Sequence, residues 1–344
     1  MRATPDRTLR ANPGRVVLGS AARILLVLAC GCSTEDPIII GASSQTITGS
    51  GTQSSSSSGD SGTGFSTFTS SDSGDWGEDG VPETRFASLG DYGSAGAAAE
   101  RVSVLVHQWS PDFVITQGDN NYPVGSATTI DDNVGQYYSA FIGSYSGKYG
   151  SGSARNRFWP SPGNHDWGSP NLEAYRDYFD LPGNGRYYEM QVDDVHLFSY
   201  DSDTHEPDGV GEGSDQAKWL EEALGASTAC WKVVFMHHPP YSSGSHGSSE
   251  ALRLPYAEWG ADVVVAGHDH HYERLEVDDI VYFVNGLGGR SIYSLDTPLD
   301  ETRKRYNEDY GALFFMVREG ELRSAFYNAD GELIDAHTIE KSCP

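Results

Sequence analysis

Five short stretches of this 344-residue chain concentrate side chains that bind metal ions. They are Gly90-Asp91-Tyr92-Gly93, Gly118-Asp119-Asn120-Asn121-Tyr122, Gly163-Asn164-His165-Asp166, His237-His238 and Gly267-His268-Asp269-His270. Together they offer carboxylates, a phenol, a carboxamide and imidazoles, donors suited to hard and borderline cations. The last stretch continues as GHDHHYER, three histidines within four positions, and neighbouring side chains cannot all face one ion. Each stretch alone has an ordinary explanation. An Asp after a strand commonly caps a helix, Gly-Asn-His commonly turns the chain, Tyr122 can simply pack, and a lone His is usually a satisfied polar residue. Their joint, ordered occurrence supplies enough O and N donors for two five- or six-coordinate ions.

An apolar run precedes each stretch. TRFASL, DFVITQ, RFWPSP, CWKVVFM and ADVVVA read as strands. In open α/β sheets ligands bind beyond the carboxyl ends of strands. Five strand ends therefore bring Asp91, Asp119 with Tyr122, Asn164 with His165, His237, and His268 with His270 to one rim. Glycine precedes four of these groups and permits the tight backbone that aims a side chain inward. AAAERVSVLVHQW, NLEAYRDYFDL, SDQAKWLEEAL and SSEALRLPYAEW read as helices. GRYYEMQVDDVHLFSYDS reads as two antiparallel strands joined at Asp193-Asp194. IVYFVNG and the pair ALFFMVRE/LRSAFYNA read as further strands, with NADGE as a hairpin turn. Alternation early and antiparallel strands late imply an α/β architecture of mixed sheets covered by helices.

The blocks GDYG, GDNNY, GNHD, VFMH and GHDH resemble, in order, the complete motif set of purple acid phosphatases, within the calcineurin-like metallophosphoesterases. The resemblance covers residues 84–295 and is to the small branch related to tartrate-resistant acid phosphatase. It implies a four-layer α/β/β/α sandwich of two mixed sheets flanked by helices. It also implies a dinuclear site: Asp91, Tyr122 and His270 on a ferric ion, Asp119 bridging, and Asn164, His237 and His268 on a divalent ion. The donor chemistry agrees, since carboxylates and a phenolate suit Fe(III), while imidazoles and an amide suit divalent Zn, Fe or Mn. Family spacing from Val234 selects His237 over His238, and adjacent strand residues face opposite ways.

The implied reaction is phosphate monoester hydrolysis. Two ions about 3.5–4 Å apart activate a hydroxide and clamp phosphate oxygens. His165 is the candidate general acid, oriented by Asp166, and His246 matches a substrate-contacting position. Gly286-Leu287-Gly288-Gly289 has the wrong glycine spacing for a phosphate loop and reads as a turn. His271 is left as a structural residue. A phosphodiesterase or nucleotide hydrolase on the same scaffold is the nearest alternative, and a non-catalytic, surface-tethered binding protein a more distant one.

Composition bounds the setting. The formal charge is −26, and so acidic a surface repels nucleic acid and anionic membrane. Residues 1–30, with five arginines around a short apolar run, read as an export signal. Its end, Val27-Leu28-Ala29-Cys30, resembles a lipobox, with Cys32 as a competing lipidation site and an ordinary cleaved signal as the alternative. Residues 31–83 read as a disordered Ser/Gly/Asp-rich tether, and residues 84–344 as the catalytic domain. The expectation is an exported monomer, a cell-envelope lipoprotein or a secreted protein. Its partner is a small phosphorylated substrate, it binds no nucleic acid, and it meets membrane only through a lipid anchor. Cys230 and Cys343 either form a disulfide or remain thiols.

Overall fold

Thirteen strands fall into two mixed sheets in a computed structural model of the chain, which describes residues 83–343. The export signal, Cys30, Cys32 and nearly all of the expected tether lie outside the described residues. The first sheet contains β1 (Thr84–Leu89), β2 (Phe113–Gln117), β3 (Phe158–Ser161), β11 (Gly311–Arg318), β12 (Glu321–Asn328) and β13 (Leu333–Glu340), in the order β13-β12-β11-β1-β2-β3. The second contains β4 (Tyr188–Val192), β5 (Val195–Ser199), β6 (Trp231–Phe235), β7 (Val263–Ala266), β8 (Tyr272–Val277), β9 (Ile280–Asn285) and β10 (Thr302–Tyr306), in the order β10-β8-β9-β7-β6-β5-β4. Parallel pairing unites β1, β2 and β3 in one sheet and β5, β6, β7 and β9 in the other.

The period-2 alternation of these strands sorts side chains into layers. Phe86 of β1, Ile115 of β2, Val233 and Phe235 of β6 and Phe315 of β11 meet in one buried core between the sheets. The opposite faces do not reach water. Ala87, Leu89 and Val114 pack under α1 (Ala97–Trp109) and a helical run over residues 131–141 that includes α2 (Gln136–Tyr138). On the other side, Phe198, Val234 and Val264 pack with Leu220 and Leu224 of α4 (Asp215–Ala226) and with Tyr256 of α5 (Tyr256–Trp259). The result is the expected four-layer α/β/β/α sandwich.

Departures from the sequence reading have local causes. The expected helix NLEAYRDYFDL shortens to α3 (Glu173–Tyr178), because Asn171 and Leu172 both adopt left-handed backbone at φ 55°. The expected helix SSEALRLPYAEW splits at Pro255, which lacks a donor and disfavours helix before it. Strands β8, β10 and β13 were not expected. β10 (TRKRY) and β13 (LIDAHTIE) are half-exposed edge strands whose charged and polar residues hide the alternation. Cys230 and Cys343 form a disulfide, Cα atoms 5.0 Å apart, joining the start of β6 to the tail beyond β13.

Candidate metal centre

The rim lies across both sheets. Asp91, Asp119 and Asn164 follow β1, β2 and β3 of the first sheet, while His237 and His268 follow β6 and β7 of the second. The sheets are stitched together at this edge. Gly90 N donates to Asn285 O (2.9 Å), Asn285 Nδ2 to Ser88 O (2.7 Å), and His237 Nδ1 lies 2.7 Å from Gln117 O. Asp91, Asp119 and His268 have φ of 57°, 51° and 68°. Left-handed backbone in non-glycine residues costs energy and gathers at functional sites. Gly118 also has positive φ, and a Cβ there would lie 2.6 Å from His237 Nδ1. A Cβ on Gly163 would lie 2.3 Å from Asp119 N. Close approach, more than unusual φ, is what the glycines before the donors provide.

The seven expected donors converge as two neighbouring groups. In the first, Tyr122 OH lies 3.1 Å from Asp91 Oδ1 and 3.3 Å from His270 Nε2, which is 3.2 Å from Asp91 Oδ1. In the second, His237 Nε2 lies 3.0 Å from Asn164 Oδ1 and 3.2 Å from His268 Nδ1. Asp119 stands between them, with Oδ1 3.4 Å from His237 Nε2 and its charge acting on Tyr122. Ligand atoms of Asp91, Asp119 and His237 all lie within 4.8 Å of one another.

The donor set fits cations. The Gln117 carbonyl can only accept, so His237 Nδ1 carries a proton and the ring turns Nε2 toward the Asn164 and Asp119 oxygens. Acceptors aimed at acceptors need a positive charge among them. Burial, then the charges of Asp91 and Asp119, push the Tyr122 phenol far above its ordinary range. A hard cation held beside the ring would reverse that balance, because a bound ion is often the largest local charge. Burial, then the His237 and His238 imidazoles, push His268 well below the usual histidine range, which keeps it a neutral donor. Asp91, Tyr122 and His270 with Asp119 fit a hard ion, and Asn164, His237 and His268 with Asp119 a softer divalent one.

His165 sits at the mouth, its ring 4.3 Å from that of Tyr122 and its Nε2 3.8 Å from Asp119 Oδ2. The expectation that Asp166 orients it is corrected: His165 Nδ1 lies 2.6 Å from Pro123 O, whereas Asp166 Oδ2 accepts from Asn120 N, Asn120 Nδ2 and Gly163 N. Asp166 instead fastens the loop carrying Asp119 to the loop carrying Asn164. Burial, reinforced by Asp119, pushes its carboxyl up to about 6. Tyr92 OH and Thr116 Oγ1 complete this buried network by donating to Asn120 Oδ1 (2.9 and 2.6 Å).

His246 is exposed and lies over His268, ring centroids 4.4 Å apart. Residues 268–271 divide by parity. His268 and His270 face the donors, while Asp269 accepts from His246 N (2.8 Å), Gly247 N (3.2 Å) and Ser242 Oγ. His271 Nε2 lies 3.1 Å from buried Glu273, which accepts from Ser243 N and Oγ. The odd residues thus hold the loop that presents His246. His238 does not face away from His237 as strand alternation would require, because β6 ends at Phe235. His238 reaches Ser202 Oγ (3.1 Å), and its ligand atom lies within 4.8 Å of those of His237 and His268. The loop after β9, where the GLGG turn buries Leu287, adds residues that no motif marked. Ser291 Oγ lies 2.8 Å from His270 Nδ1, Tyr293 stacks on His270 at 4.0 Å, and Arg290 lies over Tyr122.

Residues 73–272 match the family model described as calcineurin-like phosphoesterase. The chain is 28% identical over 286 residues to purple acid phosphatase 3 of Arabidopsis thaliana, covering 72% of this chain and 75% of that protein. It is 28% identical over 244 residues to tartrate-resistant acid phosphatase type 5 of Homo sapiens, covering 62% of this chain and 71% of that one. Among solved structures, purple acid phosphatase PPD1 from yellow lupin seeds superposes with a TM-score of 0.62 at 16% identity, over 76% of this chain and 54% of that chain. GAP50, the anchor in the inner membrane complex of Plasmodium, does so at 0.61 and 18%, over 76% and 90%. At these identities the structural likenesses speak to fold alone.

Proposed function

This chain belongs to the calcineurin-like phosphoesterase family, and from that premise we propose that it is an exported dinuclear-metal phosphatase hydrolysing phosphate monoesters. The observation that carries the reading is the donor set itself: seven side chains from five strand ends, gathered around Asp119 with acceptor atoms facing one another. Fold alone does not secure catalysis, since GAP50 shares it and is described as an anchor. Here every donor position carries a ligating side chain, and His165 stands at the mouth.

In this reading Asp91, Tyr122 and His270 hold Fe(III), Asn164, His237 and His268 hold divalent Zn, Fe or Mn, and Asp119 serves both. Two such ions supply a nucleophile at neutral pH and neutralise charge on the phosphate. The chain's own residues do the rest. As general acid His165 carries hydrogen on both ring nitrogens: it delivers the Nε2 proton to the departing alkoxide, while Pro123 O accepts from Nδ1–H and keeps that proton in place. His246, on the loop held by Asp269, contacts the substrate. Asp166 keeps the two donor loops in register. Export is supported by the N-terminal signal pattern and by the Cys230–Cys343 bridge, since disulfides persist in oxidising compartments. The protein is then secreted, or held at the cell envelope by a lipid on Cys30 or Cys32, as a monomer acting on small phosphorylated molecules.

The test is turnover of an aryl phosphate against its bis-aryl diester by the protein purified with its metals. The reading expects faster monoester cleavage, abolished by a chelator and restored by metal. Faster diester cleavage would replace it with the phosphodiesterase reading.

A further inference from the structure

We infer that Arg290 is the substrate-facing cation of this site and binds the third non-bridging oxygen of a phosphate monoester; the inference rests on the phosphomonoesterase reading. Arg290 lies on the loop that follows β9, and the loop is pinned on both sides of it. Arg290 N donates to Asp91 O (3.0 Å), and Tyr293 N donates to His270 O (3.0 Å). Ser291 and Tyr293 grip the His270 ring, by a hydrogen-bond contact at Nδ1 and by a parallel stack with 7° between the planes. The backbone of Arg290 is therefore fixed against two donors of the first group, Asp91 and His270.

Its side chain is exposed, with the guanidinium 5.3 Å from the centroid of the Tyr122 ring. Arg101, Arg186 and Arg274 are engaged by carboxylates, of Asp309, Glu206 and Asp335, while Arg157, Arg253 and Arg305 are engaged by backbone carbonyls. Arg290 has no carboxylate among the ion pairs of the described residues. A cation–π contact holds a guanidinium in place while leaving its N–H groups unsatisfied, and that planar fork matches oxyanions. An exposed guanidinium beside the donors adds positive charge from the protein to that of the ions, which suits a doubly charged ester. A monoester has three non-bridging oxygens and a diester two. If two ions held by these donors each engaged one non-bridging oxygen, two of the three would be taken up. Only the monoester offers a third to Arg290, so this residue favours monoesters over diesters.

The experiment compares wild type, Arg290→Gln and Arg290→Lys, each purified with its metals, on an aryl phosphate and its bis-aryl diester. Inorganic phosphate binding is measured in parallel by titration calorimetry. Because Arg290 is exposed, melting curves should coincide. Arg290→Gln is expected to lower kcat/KM for the monoester by about 10- to 100-fold, mainly through KM, and to weaken phosphate binding by a similar factor. The diester should lose less, so the monoester preference narrows, and Arg290→Lys should fall between. Equal losses on both esters, or unchanged phosphate affinity, would overturn the role of Arg290. A wild-type protein that prefers the diester contradicts the underlying reading. One that prefers the monoester while the variants match it contradicts Arg290 alone.

Discussion

Asp119 and His165 touch each other yet have separable duties. His165 N donates to Asp119 Oδ1 (2.9 Å), so the backbone of one steadies the carboxylate of the other. Asp119 stands between the two groups, beside His237 on one side and Tyr122 on the other. Asp119→Ala is expected to abolish binding of at least one ion per chain, read by metal analysis of the purified variant; full retention would remove the shared-ligand role. His165→Ala should keep both metals, because its ring is not among the donors, and slow turnover by roughly 10²–10⁴-fold. Unchanged turnover would remove His165 from the general-acid role. The seven side chains that converge at the rim, and His165 at its mouth, were legible because each follows an apolar strand in a motif that fixes its register, whereas His246 was singled out by the family resemblance alone. Gln117, Asn120, Arg290, Ser291 and Tyr293 were not. Gln117 acts through its carbonyl, which any residue supplies, and the others act through contacts made only once distant loops meet. The misassigned partner of His165 has the same origin: adjacency in sequence suggested Asp166, but buried Asp166 turns toward Asn120.

At the level of elements, the centre depends on loops holding loops. Asp269 lies between two donors yet points away from both and gathers Ser242, His246 and Gly247. Asp269→Asn replaces one accepting oxygen with a donor facing other donors. The expected outcome is a KM raised about tenfold with unchanged metal content, as the loop presenting His246 loosens. Loss of metal instead would place Asp269 within the support of the ions. The strands that deliver ligands were readable because they are apolar and end in glycine or a polar residue. The strands that were missed are of another kind. β10 and β13 pair at sheet edges and keep charged residues toward solvent, so they exist through pairing rather than pattern. The helical run over residues 131–141 follows none of the apolar runs or motifs, yet buries Val134, Tyr138 and Phe141 beneath it. The two left-handed residues that shorten α3 leave no mark in composition.

For the whole molecule, the sheets must stay in register, because each contributes part of the donor set. Hydrogen bonds at the rim do this at one edge, and the bridge across 113 residues joins β6 of one sheet to the tail after β13 of the other. Removing such a cross-link costs about 2–5 kcal/mol, chiefly by freeing the unfolded chain. Cys343→Ser is expected to lower the urea midpoint without changing metal stoichiometry, since the bridge is remote from the donors. An unchanged midpoint would show that the tail adds no stability. The central claim is that two unlike ions share this rim and that one of them is bound by Tyr122. The most direct measurement is the visible spectrum of the purified protein together with its metal content. The account expects two ions per chain, one of them iron, and a tyrosinate-to-iron band that disappears in Tyr122→Phe. A colourless protein with two bound ions, or a band that survives that substitution, would contradict it.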